Sequence, residues 1–203
     1  MKPAEANRTG RILRFAQYAF AALGVLALGY CVAVYVNARL FQAKAARNFQ
    51  RAAARGAYPS PAPAPPVAPP PPREGAVLGR LRVPRLGLAV MVVEGADAGD
   101  LKRAAGHIPG TALPGESGNI GIAGHRDTFF RPLRNIRPGD SITLSTLHGD
   151  CHYKVVSTRV VSPDDVAVLY PNGSDCLTLV TCFPFDYIGS APRRFIVRAE
   201  KTA

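Results

Sequence analysis

The sequence predicts an all-β domain, a barrel or a sandwich, with one or two short helices and a single apolar helix in front of it. Three observations lead there. Residues 75–203 break into short runs rich in Val, Ile, Leu and Thr, among them LAVMVVEG, NIGIAGH, SITLSTLHG, CLTLVTC and RFIVRAEK. Turn signals such as Leu86-Gly87, Pro109-Gly110, Pro138-Gly139 and Asn172-Gly173 separate them, at the roughly 8–12-residue spacing of sandwiches and barrels. Residues 15–36 (FAQYAFAALGVLALGYCVAVYV) carry no charge, and residues 58–72 (YPSPAPAPPVAPPPP) are mostly proline.

Taken in order, residues 1–14 form a short tail holding Arg8, Arg11 and Arg14. Residues 15–36, at about 1.5 Å per helical residue, are long enough to cross a hydrocarbon core of roughly 30 Å. The tight arginine cluster before the span favours a cytoplasmic N-terminus, although Arg39, Lys44, Arg47, Arg51 and Arg55 follow it at wider spacing. A cleaved signal peptide is the alternative. Against it stand the length of the run and the lack of a clean small-x-small site. Residues 37–57, rich in Ala and Arg, read as a juxtamembrane helix, either lying on anionic headgroups or continuing the span into water. Residues 58–74 read as a stiff polyproline II linker, for which an SH3-type ligand is the less favoured reading. Within residues 75–203, one short helix is expected near Ala98–Ala105 and a helical turn near Phe129–Leu133.

Charge is informative through its placement. The chain has 25 Lys and Arg against 14 Asp and Glu, a net charge of +11. Residues 1–72 hold nine of the basic residues and one acid, Glu5, so most of the excess lies outside the β domain. A positive patch on a folded surface is the footprint of a nucleic-acid binder, and this distribution lacks it. With no Trp there is also no rich platform for stacking bases. Four cysteines in 203 residues do not make a disulfide scaffold.

Three residue types in the β domain, a Cys, a His and an Arg, are those needed for nucleophilic catalysis. Cys182 ends the strand CLTLVTC, and Pro184, which has no amide donor, stops that strand beside a loop. His125 follows an apolar strand and a glycine in NIGIAGHRDTFF. Arg193 and Arg194 open the last strand, RRFIVRA. A cysteine nucleophile needs a proton shuttle and a donor for the developing oxyanion, and His and Arg supply them. The spacing alone leaves open that Cys182 is a small buried hydrophobe.

The stretches GHIPGTALPGESGNIGIAGHRDTFFRPLRNIRPGDSITL and LTLVTCFPFDYIGSAPRRFIVRA resemble the sortases, and the resemblance covers roughly residues 76–200. The CFPFDYIGSAPRRFIV ending is most similar to class D, with class E next. The resemblance implies a closed sortase-type barrel of about eight strands and a membrane-anchored cysteine transpeptidase. It implies that Cys182 is the nucleophile, His125 the catalytic histidine and Arg194 the catalytic arginine, although some members show a pattern that would choose Arg193. Neighbours on a strand face opposite sides, so only one of the two points at Cys182. Thr181, Arg193 and His107 are the candidate substrate contacts, with a structural hydrogen-bonding role as the alternative for His107.

The resemblance further implies a substrate protein bearing a Leu-Pro-x-Thr-Gly-like signal and an amine acceptor, either a cell-wall peptide or a pilin-like lysine. Lipid contact runs through the N-terminal helix, and the catalytic domain lies outside the cytoplasmic membrane. Two alternatives remain: an endopeptidase that hydrolyses the signal without transfer, and an inactive sortase-like binding module. The signature of L,D-transpeptidases is absent.

No cofactor and no metal are expected. His148 and His152, with Asp150 and Cys151, flank a turn but alternate in facing, and the acids Asp164 and Asp165 are too few for a required cation. Cys31 lies in the span. Cys176 and Cys182, six residues apart on one strand, are too distant to bridge. Cys151 and Cys176 either pair across neighbouring strands or stay reduced.

Overall fold

The structure is a computed structural model that describes residues 4–55, 71–171 and 173–202. Most of the proline-rich linker lies outside the described residues. Two compact units are present, residues 1–40 and residues 41–203. The described part of the first belongs to one long helix, α1 (Ala4–Ala54). α1 is the one helix among the described residues long and apolar enough to cross a membrane, with a mean hydropathy of 2.2 in its most apolar window. Its apolar side chains, such as Phe15, Leu23 and Leu28, are exposed, which is compatible with a single-pass membrane anchor.

The last turns of α1 belong to the second unit and pack on it. Gln42 donates from Nε2 to the Arg103 carbonyl (2.7 Å) and accepts from the Met91 amide at Oε1 (2.8 Å). Ala45 is buried, and the Arg103 guanidinium lies 5.0 Å from the Phe41 ring centroid. The stretch read from sequence as juxtamembrane is thus helical as far as Ala54, and the face carrying Gln42 and Ala45 meets protein rather than headgroups or water.

The rest of the second unit is a closed eight-stranded barrel. Its strands are β1 (Val77–Val83), β2 (Leu88–Glu94), β3 (Ala105–His107), β4 (Asn119–Ala123), β5 (Ser141–Thr146), β6 (Gly149–Val161), β7 (Cys176–Phe183) and β8 (Arg193–Lys201). They run around the barrel in the order β1-β2-β3-β4-β7-β8-β6-β5, and β5 closes on β1. The β2–β3 and β4–β7 pairs are parallel and the others antiparallel. Of the two architectures left open by the spacing, the barrel is the one formed. Closure leaves no unpaired sheet edge to protect.

Period-2 alternation decides what fills the barrel. Leu81, Val83, Val90, Val92, Ile120, Ile122, Leu177, Leu179, Val197 and Ala199 point inward and are fully or almost fully buried. The helix expected near Ala98–Ala105 is a single turn, α2 (Ala98–Leu101), capped where the Asp97 side chain accepts from the Asp100 amide. It is shorter than expected because Ala105–His107 forms β3, a strand too brief and too glycine-rich to carry an apolar pattern. The turn expected near Phe129–Leu133 is a 3-10 helix over Arg131–Asn135.

Cys151 and Cys176 do not lie on neighbouring strands, because β8 separates β6 from β7. None of the four cysteines is in a disulfide.

Candidate active site

The site forms on the outer face of the wall made by β4, β7 and β8. On β7, Leu177 and Leu179 face the core, so Cys182 faces the opposite way. On β8, Val197 and Ala199 face the core, so Arg194 shares the outer face with Cys182. The register places the two directly opposite each other, Cys182 against Arg194, with Phe183 against Arg193 one step on. Directly opposite residues in an antiparallel pair have Cα atoms about 4.5–5.5 Å apart.

His125 arrives from the other side. β4 runs parallel to β7 as far as the pairing of Ala123 with Val180, and the Gly124 amide extends the contact by donating to the Val180 carbonyl (3.1 Å). The next residue is His125. The turn is tight because a Cβ on Gly124 would stand 2.7 Å from the ring of Phe130, which is fully buried. The Phe130 amide closes the turn on the His125 carbonyl (3.0 Å). The glycine of the GHR motif therefore sets where the imidazole is presented.

Cys182, His125 and Arg194 line one cavity of about 380 Å³, together with Arg126, Asp127, Gly189, Ser190 and Ala191. Cys182 is half-buried. Among the described residues no hydrogen bond or ion pair joins the three side chains. Arg194 is held at its tip, where Nη1 donates to the carbonyls of Ala191 (3.2 Å) and Arg193 (3.1 Å). It has no acid partner among the described residues. Its remaining N–H groups are available to an oxygen in the cavity.

The other sequence candidates lie elsewhere. Thr181 is 2% exposed and donates from Oγ1 to the Gly124 carbonyl (2.7 Å), tying the end of β7 to the His125 turn. Arg193 is exposed and lies outside the cavity lining. His107 is 1% exposed, with Nδ1 at 2.8 Å from Glu94 Oε2 and Nε2 at 3.0 Å from both the Ala112 carbonyl and Thr111 Oγ1. That set of partners braces the segment leading into β4. Among the described residues, none of these three lines the cavity.

The neighbouring outer surface of β4, β7 and β8 is covered by the segment before β7. Asn119 donates to the Val168 carbonyl (3.2 Å), Thr178 donates to Asn119 (2.7 Å) and Arg198 donates to the Val168 carbonyl (3.0 Å). An aromatic trio supports the open end. Phe195 stacks near Phe183 (6.3 Å between centroids) and meets Phe185 edge-on (5.3 Å).

One group of acids among the described residues has carboxylate oxygens close enough to hold a cation: Glu74, Asp97 and Asp100, all within 4.8 Å of one another. It lies at the β2–α2 turn, away from the cavity. Asp100 there is paired with Arg103, and Asp97 is used as the α2 cap.

A closed barrel thus brings a strand-end cysteine opposite an arginine, with a histidine presented from the adjoining parallel strand. The sortase domain matches residues 81–202, and the chain belongs to the sortase family. It is 36% identical over 131 residues to Sortase D of Bacillus subtilis, covering 64% of this chain and 66% of that one. Sortase SrtE1 of Streptomyces coelicolor is 33% identical over 51% of this chain and 35% of its own length. Among solved structures, a Sortase D5 transpeptidase of Clostridium perfringens aligns with TM-score 0.60 and 30% identity, over 66% of this chain and 83% of that one. A Clostridium perfringens sortase C, solved with its C-terminal cell wall sorting motif, aligns with TM-score 0.61 and 28% identity, over 79% and 86%. The chain spans about two thirds or less of the length of the curated relatives it matches first.

Proposed function

We propose that the protein is a membrane-anchored transpeptidase of class D type. It would cleave a Leu-Pro-x-Thr-Gly-like signal through a thioacyl intermediate and join the acyl part to an amine at the cell surface. The observation that carries this reading is the shared cavity: Cys182 faces Arg194 across β7 and β8, with His125 at the rim.

Each residue then has a task. The Cys182 thiolate attacks the carbonyl carbon of the signal's Thr, forming a C–S bond. Arg194 donates to the oxygen on which negative charge develops, a term that removal of one donor typically shows to be worth about 10²–10³ in rate. The C–N bond breaks as the His125 imidazolium gives its proton to the leaving amine. An acceptor amine then attacks the thioacyl carbon, loses a proton to the imidazole and releases the thiolate. Arg194 suits this role better than Arg193 because the register aims it along the face that carries Cys182.

The apolar part of α1 is the anchor in this reading. The N-terminal arginines stay in the cytoplasm and the barrel works outside, where sorting signals and amine acceptors are found.

The test uses the full chain in detergent micelles, quenched peptides of the Leu-Pro-x-Thr-Gly type and an amine acceptor. A mass adduct on Cys182 and a ligated product are expected, and both should vanish in Cys182→Ala. Cleavage without ligation across acceptors would make the protein an endopeptidase. Identical behaviour of wild type and Cys182→Ala would leave only a binding module.

A further inference from the structure

Arg126 lines the cavity, and the reaction above gives it no task. It follows His125, and its side chain crosses to the connection between β7 and β8. Nη2 donates to the carbonyls of Tyr187 (2.6 Å) and Gly189 (3.0 Å), and the guanidinium lies 5.9 Å from the Tyr187 ring centroid. Nη1 is buried and has no acceptor among the described residues.

A buried N–H on a cation without an acceptor is costly, more so than one on a neutral group. Such groups are rare in native proteins and call for an explanation. Here the surroundings offer one. The same guanidinium lines the cavity that holds Cys182, and Gly189, Ser190 and Ala191 line it as well. Ala191 in turn accepts from Arg194 Nη1 (3.2 Å). The connection is therefore gripped by two arginines, one beside the histidine and one opposite the cysteine. Both hold it by its backbone carbonyls, leaving Nη1 of Arg126 over.

We propose that Arg126 is a substrate-binding residue. On a small shift of the side chain that uncovers it, its Nη1 donates to a backbone carbonyl oxygen of the bound peptide, while its Nη2 holds the Tyr187–Gly189 segment as a wall of the cavity. The ligand chemistry follows from the donor. A guanidinium N–H in a partly closed cavity makes a charge-assisted bond to a carbonyl oxygen, and an extended peptide supplies one at every residue. Nη2 already binds two carbonyls of this kind. The proposal rests on the reading that the cavity takes a peptide.

The decisive measurement is affinity, separated from turnover. In the full chain in micelles, Cys182→Ala holds a fluorescent Leu-Pro-x-Thr-Gly peptide without consuming it. Its Kd is compared with that of Cys182→Ala/Arg126→Met and of Cys182→Ala/Arg126→Lys, while hydrogen exchange follows residues 185–191. A Kd about 10-fold or more weaker in the Met variant, partly recovered by Lys, is the expected result, a factor in keeping with one charge-assisted hydrogen bond. An unchanged Kd with faster exchange in residues 185–191 would make Arg126 a structural clamp only and overturn the proposal. Absence of binding in all three variants overturns it too. If Cys182→Ala binds the peptide but the wild type never forms an adduct, the transpeptidase reading falls, and the Kd comparison still decides the role of Arg126.

Discussion

Strand β7 carries a cysteine at each end, and the two ends differ in almost every respect. Cys176 opens the strand, is fully buried, and its thiol is pushed up chiefly by that burial. Cys182 closes the strand, is half-buried, and lines the cavity opposite Arg194. Both side chains stand on the same outer face, since they are six residues apart in a period of two. The difference comes from what covers that face. Around Cys176 the register is complete, with the Cys176 amide on the Gly118 carbonyl (2.9 Å) and Asp175 bound to the Gly118 amide (2.9 Å). At Cys182 the strand is about to end, β8 presents an arginine, and the cover gives way to a cavity. One residue type on one strand thus provides a thiol packed under cover and a candidate nucleophile.

The largest expected effect tests that contrast directly. Cys182→Ala should remove peptide ligation down to background in a product assay, whereas Cys176→Ala should keep kcat/KM within about threefold, because a buried group away from the reacting atoms acts on activity only through stability. Comparable losses in both variants would mean that the two ends are not functionally distinct.

Much of this contrast was legible in the sequence. Pro184 marks where β7 stops, and the apolar runs give seven of the eight strands. β3 was hidden because three residues, Ala105–His107, cannot show a period. The pattern of the last strand favoured Arg194 over Arg193 only through the family resemblance, because local sequence does not show which of the two meets Cys182. It depends on the register of β8 against β7, a nonlocal pairing that places Arg194 and not Arg193 opposite Cys182. Arg126 stood within the GHR motif, but its significance needs the Tyr187 and Gly189 carbonyls, some sixty residues away. The packing of Gln42 on Met91 and Arg103 was likewise invisible, since an amide in an Ala- and Arg-rich helix shows no preference for a partner.

Next in size is the pair of arginines. Arg194→Ala should lower kcat/KM by about 10²–10³, the range for removing one oxyanion donor. Arg193→Ala, at an exposed position on the opposite side of the strand, should stay within about threefold, as surface substitutions outside the reacting groups do. Steady-state kinetics of the two variants, side by side, reads this. A reversal would mean that the catalytic register is one residue off from the structural one.

A smaller and more graded effect is expected in thiol chemistry. Burial both blocks Cys176 and raises its thiol, so in the native protein it should react with iodoacetamide at least about tenfold more slowly than Cys182. Intact-mass and peptide mapping over time measure the two rates. Denaturant should remove the difference. If the difference survived unfolding, local sequence and not the cover over β7 would be its cause.

The smallest effect belongs to the Cys176 end and appears in acid. The Asp175 carboxyl is held below its usual range, first by the Gly118 amide and further by Lys201, whose Nζ lies 3.5 Å away. A carboxylate whose folded pKa is depressed contributes stability above its unfolded value, near 3.8, and loses it as pH falls through the folded value. Thermal midpoints of wild type and Asp175→Asn should therefore separate modestly at pH 5–7, with wild type the higher, and draw together toward pH 2. The separation should be small because the Lys201 pair is partly exposed and screened. Peptide ligation by Asp175→Asn at pH 7 should match wild type, since the change acts on the end of β7 that packs rather than the end that lines the cavity. A loss of activity without a loss of stability would show that the two ends communicate along the strand.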